Sequence, residues 1–269
     1  MPVVGQHEKP KETILVPKKV ALAVILTHER PGLLTRTLDS LRAASPDLHI
    51  IVYDDGSTSP EKAEELDNAG VHVNREPKRG LVRTWMKVFD DISCALDLTV
   101  ADDEGIVLLE DDLLFAPGWD KTLLTMAGGA ADLGFKPGTM TCFRCHGEIQ
   151  SEVRNLRGVE AYQTLGHGFQ VNMVPAGVFR HLEVFEEAAK ASEAGRHGLD
   201  VHLIGALSHR LGLTSFMSME SWVAHMGANN SIAADFGYVS YQGFGEGLRP
   251  ELRRAVSDSI IEMRRGQLQ

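Results

Sequence analysis

The residues best suited to chemistry are three consecutive carboxylates, Glu110-Asp111-Asp112, which directly follow an apolar run. That run, Ile106 to Leu109, is typical of a buried strand. Carboxylates at the end of a buried strand are costly unless a cation compensates them, and this end of a strand is where α/β sheets bind ligands. A divalent metal ion that carries a phosphorylated ligand would account for all three carboxylates.

A second acidic segment, Asp54-Asp55-Gly56-Ser57, follows the apolar stretch from His49 to Tyr53. Asp-Gly pairs are common in solvated turns, so this segment has a structural explanation as well. Its position at the end of a strand in the same predicted sheet suggests that one ligand spans both acidic segments.

Alternating strands and helices are needed to bring these two segments together, and the sequence predicts them. The apolar runs, helical periodicities and helix-starting prolines indicate a β-α-β-α-β-α-β order, which implies a mostly parallel sheet with helices on both faces. The predicted elements are strands at 20–26, 49–53, 71–73 and 106–109, and helices starting near 30, 61, 80 and 117. The sequence therefore predicts a single-domain α/β protein with a Rossmann-like sheet.

The alternation weakens after about residue 135. We predict strands at 139–143, 169–174 and 214–223, and helices at 175–194 and 200–211. The predicted organisation is a disordered lead-in (1–18), a single α/β domain (19–230) whose character changes near residue 135, and a C-terminal tail or helix (231–269). The tail could be a dimerisation helix or a lid, and the sequence leaves open whether the chain forms a homo-oligomer.

Composition limits the classes of partner. A net charge of −10 disfavours a polyanion, so a nucleic-acid partner is not favoured, although the sequence does not exclude one. No apolar run is long enough for a transmembrane segment, and no secretory signal is present. The three cysteines, Cys94, Cys142 and Cys145, suggest a reducing, cytoplasmic location. Cys142 to His146 formally matches a haem-attachment pattern, but that chemistry needs an exported chain, so we expect free thiols.

Several motifs together resemble the GT-A fold glycosyltransferases, and are most similar to the large inverting family 2 group. In chain order they are Val24-Ile25-Leu26-Thr27, Arg30-Pro31, Leu38-Asp39-Ser40-Leu41, Ile51-Val52-Tyr53-Asp54-Asp55-Gly56-Ser57 and Glu110-Asp111-Asp112. The last of these lies at the so-called DXD position of that fold. With the Ala116-Pro117 that follows, it also resembles the N-acetylglucosaminyltransferase I type. The resemblance is good over residues 19–125 and loose over 160–228. It implies a glycosyltransferase domain (19–230) with a nucleotide-binding half (19–135) and an acceptor half (136–230).

The resemblance implies nucleotide-binding roles in the first half of the chain. Thr27 and Asp54 would contact the base, with Asp55 as a second candidate. Arg79 and Arg83 could reach the base or the phosphates, or could be solvated charges near the start of a helix.

The resemblance also implies a metal site. Glu110 and Asp111 would face the ribose and the sugar, and Asp112 would bind Mn²⁺ or Mg²⁺, which would bridge the two phosphates. Hard oxygen ligands suit these ions. His225 is the expected second metal ligand, because GT-A enzymes often supply a histidine from late in the chain that lies near the acidic cluster. Alternatively, His225 has only a structural role in a loop.

Asp200 is the candidate catalytic base, since inverting transfer needs a carboxylate that accepts the proton of the acceptor hydroxyl. It stands at a helix start, where a capping role is the alternative, and Glu193 and Glu220 are weaker candidates for the base. The segment Gly166–Gln170 would line the sugar pocket or form an ordinary turn.

The implied function is metal-dependent, inverting transfer of a hexose or N-acetylhexosamine from a nucleotide sugar, expected to be a UDP-sugar, to an acceptor hydroxyl of unknown identity. A nucleotidyltransferase of the same fold is an alternative, although the segment from Thr27 to Pro31 lacks the glycines of its phosphate loop. A non-catalytic nucleotide-sugar-binding protein is the third candidate.

Overall fold

The chain folds as a mixed α/β domain around one large sheet. The structure, a computed structural model, describes residues 14–144, 150–165, 170–195, 198–226 and 252. The strands are β1 (Val20–Thr27), β2 (His49–Asp55), β3 (His72–Glu76), β4 (Gly105–Glu110), β5 (Leu113–Phe115), β6 (Pro137–Thr141), β7 (Gln150–Leu156), β8 (Val159–Thr164), β9 (Val171–Pro175), β10 (Thr214–Ser218) and β11 (Val223–His225). The α-helices are α1 (Leu33–Ala44), α2 (Pro60–Asp67), α3 (Leu81–Thr99), α4 (Trp119–Asp132), α5 (Leu182–Ala194) and α6 (Leu199–Leu211).

The central sheet has the strand order β3-β2-β1-β4-β9-β6-β10-β8-β7. The strands from β3 to β4 pair in parallel, β9 is antiparallel to both β4 and β6, and β6 and β10 are again parallel. The part predicted from the β-α alternation is therefore confirmed as the parallel, Rossmann-like half of a mostly parallel sheet. No helix among the described residues has the length and apolarity needed to cross a membrane.

The two faces of the sheet bury separate apolar clusters. Alternate residues of β1 and β4 face opposite clusters, as expected for strands covered on both sides. Ile25 and Leu109 face the leucines of α1, which are buried as their spacing predicts, whereas Leu26 and Leu108 face α3, α5 and α6. The ends of these strands are thereby fixed from both sides.

The acceptor half differs from the prediction in three places. The predicted helix at 175–194 is a 3₁₀ turn, Ala176–Arg180, followed by α5, because His181 departs from helical dihedrals (φ −108°, ψ 57°). The predicted strand at 214–223 is two strands, β10 and β11, which belong to different sheets. The β7–β8 hairpin was not predicted, since its edge strand carries many polar residues.

Ordered contacts begin before the expected domain boundary at residue 19. The backbone N–H of Lys18 donates to the carbonyl of Asp103 (2.8 Å), and the partly buried Ile14 and Val16 pack against the two core clusters. The domain thus includes the end of the segment that was expected to be disordered.

Asp55 anchors the backbone that leads into α3. Its carboxylate accepts hydrogen bonds from the backbone N–H groups of Arg79 (2.8 Å) and Gly80 (3.1 Å) and from Thr84 Oγ1 (2.6 Å). Gly56 lets this loop approach, because a Cβ there would lie 2.3 Å from the backbone nitrogen of Lys78. The acidic turn therefore fixes where α3 begins.

This anchoring predicts a large stability effect. Replacing Asp55 by Ala leaves the buried Thr84 hydroxyl and two part-buried backbone N–H groups without their acceptor, so we expect a loss of about 3 kcal/mol in unfolding free energy. That corresponds to a melting temperature lower by roughly 6–12 °C, measured by calorimetry. The control Asp39→Ala, at an exposed position on α1, should change it little. Equal melting temperatures for the two variants would contradict the anchoring role.

Candidate active site

The carboxyl ends of three neighbouring parallel strands bring the predicted residues to one edge of the sheet. Thr27 ends β1 and is in register with Asp54 of β2, while Glu110 ends β4 and is in register with Leu26. The two acidic segments therefore lie on either side of the end of β1, as the sequence predicted.

His225 reaches this edge through the pairing of β11 with β5. In the antiparallel register His225 lies opposite Leu113, the residue that follows Asp112. The backbone N–H of Met226 donates to the carbonyl of Asp112 at 2.7 Å. This two-stranded sheet joins two residues that are far apart in the sequence.

Glu110, Asp112 and His225 form a cluster with the composition of a metal site. One ligand atom from each lies within 4.8 Å of the others. The Nε2 atom of His225 is 3.2 Å from Asp112 Oδ1 and 3.5 Å from Glu110 Oε2. Asp112 Oδ1 is buried and accepts no hydrogen bond of good geometry from any residue that the structure describes. Two carboxylates and an imidazole fit Mn²⁺ or Mg²⁺, with Mn²⁺ the better match to the nitrogen ligand.

The charges in this cluster are strongly coupled. Burial alone would lower the pKa of His225, but the neighbouring Asp112 and Glu110 carboxylates raise it to about 10. Burial would raise the pKa of Asp112, yet His225 and Arg30 hold it below its usual value. The protonated imidazole of His225 is thus the counter-ion of Asp112. A metal ion that binds the imidazole nitrogen would displace this proton.

Arg30 is a site residue that the sequence analysis did not identify as one. Its guanidinium bridges the acidic motif, with Nη1 2.5 Å from Asp112 Oδ2 and Nη2 bonded to Asp111 Oδ1. Although burial opposes its charge, Asp111 and Asp112 raise the pKa of Arg30. The requirement for a compensating cation was visible in the sequence, but nothing there indicated which of the basic residues would supply it.

Lys62 of α2 is a second cation beneath the motif, and its side chain is completely buried. Its Nζ atom lies 2.7 Å from Glu65 Oε2 and 3.6 Å from Asp111 Oδ2. Glu65 also accepts a hydrogen bond from the backbone N–H of Thr35 at 2.8 Å. A lysine in the polar-looking sequence of α2 is typical of a solvated face, so its burial was not foreseen.

Asp111 is the centre of this network. Its side chain is fully buried, and its oxygens are used by the Thr27 hydroxyl, Arg30 and Lys62. Burial raises its pKa in spite of the neighbouring cations. The side chains of Asp111 and Thr27 therefore bond to partners inside the protein. Glu110 and Asp112 instead face His225.

Asp54 is likewise engaged within the protein. Its carboxylate accepts hydrogen bonds from the backbone N–H of Ser57 (3.0 Å) and from the Ser57 hydroxyl, which closes the turn after β2. With Asp55 anchoring the loop before α3, both carboxylates of this segment have structural partners.

Arg79 and Arg83 lie at the surface beside that turn. They form exposed ion pairs with Glu76 (3.1 Å) and Glu193 (3.4 Å), respectively. Together with Lys78 they line a shallow, open depression. The structure thus places two predicted nucleotide-binding arginines next to the acidic turn, at a position open to solvent.

Asp200 lies in the first turn of α6, above the sheet. It lines a small cavity with Thr139 of β6 and Asn172 of β9, the strand that pairs with β4. A Cβ at Gly198 would meet Asp200 Oδ1 at 2.3 Å, so the carboxylate lies close to the residue that precedes the helix. The other candidate acids, Glu193 and Glu220, are exposed.

Some predicted features lie outside the described residues. These are residues 166–169 of the segment predicted to line the sugar pocket, Cys145 and His146 of the Cys-x-x-Cys-His pattern, the first 13 residues and most of the tail. Within the tail, Leu252 is described, and it is buried among Leu33, Leu114 and Met226.

Comparison with solved structures finds distant likenesses. A mycobacterial protein is 16% identical, with 87% of this chain and 77% of that chain covered and a TM-score of 0.50. Glucosyl-3-phosphoglycerate synthase from Mycobacterium tuberculosis, in complex with Mn²⁺, UDP and glucosyl-3-phosphoglycerate, is 15% identical over 84% and 77% of the two chains, with a TM-score of 0.47. A cytidylyltransferase from Leptospira borgpetersenii is 14% identical over 72% of each chain, with a TM-score of 0.39. The first supports a shared fold alone, and the other two scores are too low to carry an argument.

Sequence comparison gives the family. No curated protein matches the chain. The model of the family described as glycosyl transferase family 2 matches residues 22–180. This match covers more than half of the chain and includes both acidic segments. The chain therefore belongs to glycosyl transferase family 2, with the GT-A fold that its motifs predicted.

Proposed function

We propose that the protein is a metal-dependent, inverting glycosyltransferase that moves a hexose or N-acetylhexosamine from a UDP-sugar to an acceptor hydroxyl. The observation that carries the proposal is the convergence of Glu110, Asp112 and His225 at the sheet edge of a family 2 chain. The choice of uridine rests on the resemblance of the acidic motif to the N-acetylglucosaminyltransferase I type.

Asp112 and His225 would hold the metal ion, with Glu110 beside it. Bound there, Mn²⁺ or Mg²⁺ would act as a Lewis acid that stabilises negative charge on the departing diphosphate. Arg30 would keep Asp112 oriented, since it bonds the carboxylate oxygen opposite the one that faces His225. This arrangement is a ligand held by an outer partner, which is common around protein metal sites.

The nucleotide would lie between the ends of β1 and β2. Since Thr27, Asp54 and Asp55 use their side-chain oxygens internally, we propose that they shape the wall of the nucleotide pocket. Arg79 and Arg83 are solvent-accessible cations beside this wall, and are suited to reach the base or the phosphates.

Asp200 would be the catalytic base. The acceptor oxygen attacks the anomeric carbon as its proton passes to the Asp200 carboxylate, and the bond from that carbon to the diphosphate oxygen breaks. A single displacement of this kind inverts the anomeric centre. The position of Asp200 over β9 and β6 supports this role better than the exposed positions of Glu193 and Glu220.

The proposal is tested first by thermal shift with UDP, GDP, CDP, TDP and ADP, each with and without Mn²⁺. A nucleotide at a hundred times its Kd should stabilise the protein by about 2.7 kcal/mol, which is a shift of roughly 5–10 °C. Stabilisation by UDP only with metal is the expected result. No stabilisation by any diphosphate would overturn the donor assignment, and tight binding without turnover would favour a non-catalytic binding protein.

The metal site predicts a selective loss of binding in Asp112→Asn. The variant keeps the size of the side chain but loses a charged ligand, so the Mn²⁺-dependent UDP shift should disappear while the protein stays folded. Circular dichroism checks the fold, and Asp47→Asn, at an exposed turn, should retain the shift. A normal Mn²⁺-dependent shift in Asp112→Asn would show that the metal binds elsewhere.

The bridge made by Arg30 predicts an effect on metal affinity. In Arg30→Lys the charge remains, but one ammonium group cannot replace the planar bidentate contact to Asp111 and Asp112. The Mn²⁺ concentration at half-maximal UDP binding should rise about 10–100-fold, as measured by calorimetric titration. Arg75→Lys, which alters an exposed ion pair with Asp67, serves as the control. Equal metal requirements in the two variants would contradict the proposed role of Arg30.

The base assignment predicts that Asp200→Asn loses transfer and keeps the donor. General-base catalysis contributes about 10²–10⁴-fold, so kcat should fall by that factor while the Kd for UDP with Mn²⁺ stays unchanged. The matched variants Glu193→Gln and Glu220→Gln should retain transfer, measured as UDP release in the presence of acceptor. A kcat for Asp200→Asn close to that of the unaltered protein would remove Asp200 from the mechanism.

A further inference from the structure

Arg144 belongs to the acceptor half of the domain and lies at the edge of the sheet that carries the candidate site. It follows the carboxyl end of β6, a strand that runs in the same direction as β4. The ring of the preceding residue, Phe143, has its centroid 6.2 Å from that of His225. The backbone N–H of Arg144 donates to Ser221 Oγ at 3.2 Å, and Ser221 in turn donates to the carbonyl of Val223 in β11. Arg144 is therefore tied to the strand that carries His225.

The guanidinium of Arg144 is incompletely satisfied. Its Nη1 atom makes one long hydrogen bond, 3.4 Å, to the carbonyl of Met219, and its Nε atom is buried with no acceptor among the described residues. Its central carbon lies 5.8 Å from the centroid of the Tyr162 ring, at the distance of a cation–π contact. The aromatic ring thus supports the guanidinium, while most of its five N–H donors have no acceptor among the residues that the structure describes.

The absence of a carboxylate partner distinguishes Arg144 from most arginines that the structure describes. Arg157, Arg180 and Arg210, for example, each pair with an aspartate or glutamate within 3 Å. No carboxylate in the described part of the chain lies within ion-pair distance of Arg144. Acidic side chains are abundant in a chain with a net charge of −10. A half-buried arginine that pairs with none of the described carboxylates is therefore suited to bind an external anion.

We propose that Arg144, supported by Tyr162, is an acceptor subsite that binds a carboxylate or phosphate group, so that the acceptor of this enzyme is anionic. A guanidinium presents N–H groups in a fork that matches either oxyanion. The subsite would orient the acceptor hydroxyl from the acceptor half, opposite the donor end of the sheet. The inference rests on the proposed function, because it assigns the second substrate of that reaction.

Arg144 could instead only fasten the loop from Met219 to Ser221. That role would affect stability, and would not distinguish charged from neutral ligands. The experiment therefore measures selectivity, using D-glucose 6-phosphate, D-glucuronate and D-glucose as probes that share a ring and differ in charge.

The test is calorimetric titration of the three probes into the full chain, both alone and with UDP and Mn²⁺. We expect at least one charged probe to bind about 10–100-fold more tightly than glucose, as for charge-assisted hydrogen bonds. Arg144→Met should reduce this preference to less than about twofold, and Arg144→Lys should retain part of it. Comparison of the phosphate and carboxylate probes identifies the preferred oxyanion. Arg42→Met is the matched control, because Arg42 is also half-buried and bonds backbone carbonyls of Ala69 and Gly70.

Two results would overturn the proposal: no preference for either charged probe in the unaltered protein, or an undiminished preference in folded Arg144→Met. A lower melting temperature with unchanged selectivity also assigns Arg144 to the loop alone. Failure of the proposed function would give a different result, because UDP would then not bind in the presence of Mn²⁺. The preference of the nucleotide-free chain for charged probes would still test the role of Arg144.

Discussion

The structure depends on how two adjacent carboxylates, both without solvent exposure, are neutralised. Asp111 and Asp112 follow β4, whose residues Ile106 to Leu109 are fully buried, and an uncompensated charge in that position would be prohibitively costly. The protein compensates them from different directions: Lys62 and the Thr27 hydroxyl reach Asp111, His225 reaches Asp112, and Arg30 reaches both. The ends of β1, α2 and β11 are thus brought to a single point by electrostatics as well as by the apolar core.

This division also assigns different tasks to neighbouring residues of one motif. Asp111 belongs to the protein interior, where a buried ion pair holds structure at little net gain in stability. Asp112 and Glu110 face His225, and the buried Asp112 Oδ1 atom accepts no hydrogen bond of good geometry from the described residues, which supports the proposed metal site. The acidic motif therefore consists of one internal brace, Asp111, and two carboxylates, Glu110 and Asp112, that face His225.

The sequence predicted the parallel half of the fold well, because its apolar runs, helical periodicity and chain order are local signals. It also predicted that the two acidic segments share one edge, which follows from parallel pairing. It could not predict the engagement of Asp54 and Asp55 with Ser57 and Thr84, since a turn aspartate looks the same whether it faces a ligand or a backbone amide. The sequence did not identify Arg30 and Lys62 as site residues, because the burial of a charged side chain depends on tertiary contacts and not on local sequence. The β7–β8 hairpin was not predicted because a polar edge strand has a weak hydrophobic pattern. The break at His181 was not predicted because a short 3₁₀ turn has no clear sequence periodicity.

The pairing of β5 with β11 has a consequence for how such a protein can diversify. It closes the intervening chain, residues 116–222, into a loop whose two ends are hydrogen-bonded beside Asp112 and His225. Since the entropy of closing a loop rises only slowly with its length, segments within it can be lengthened or rebuilt without drawing these two residues apart. Evolution can therefore exchange the surface that selects the recipient molecule while the centre proposed to hold the donor stays the same. The same pairing means that the centre is complete only when β11 is docked against β5.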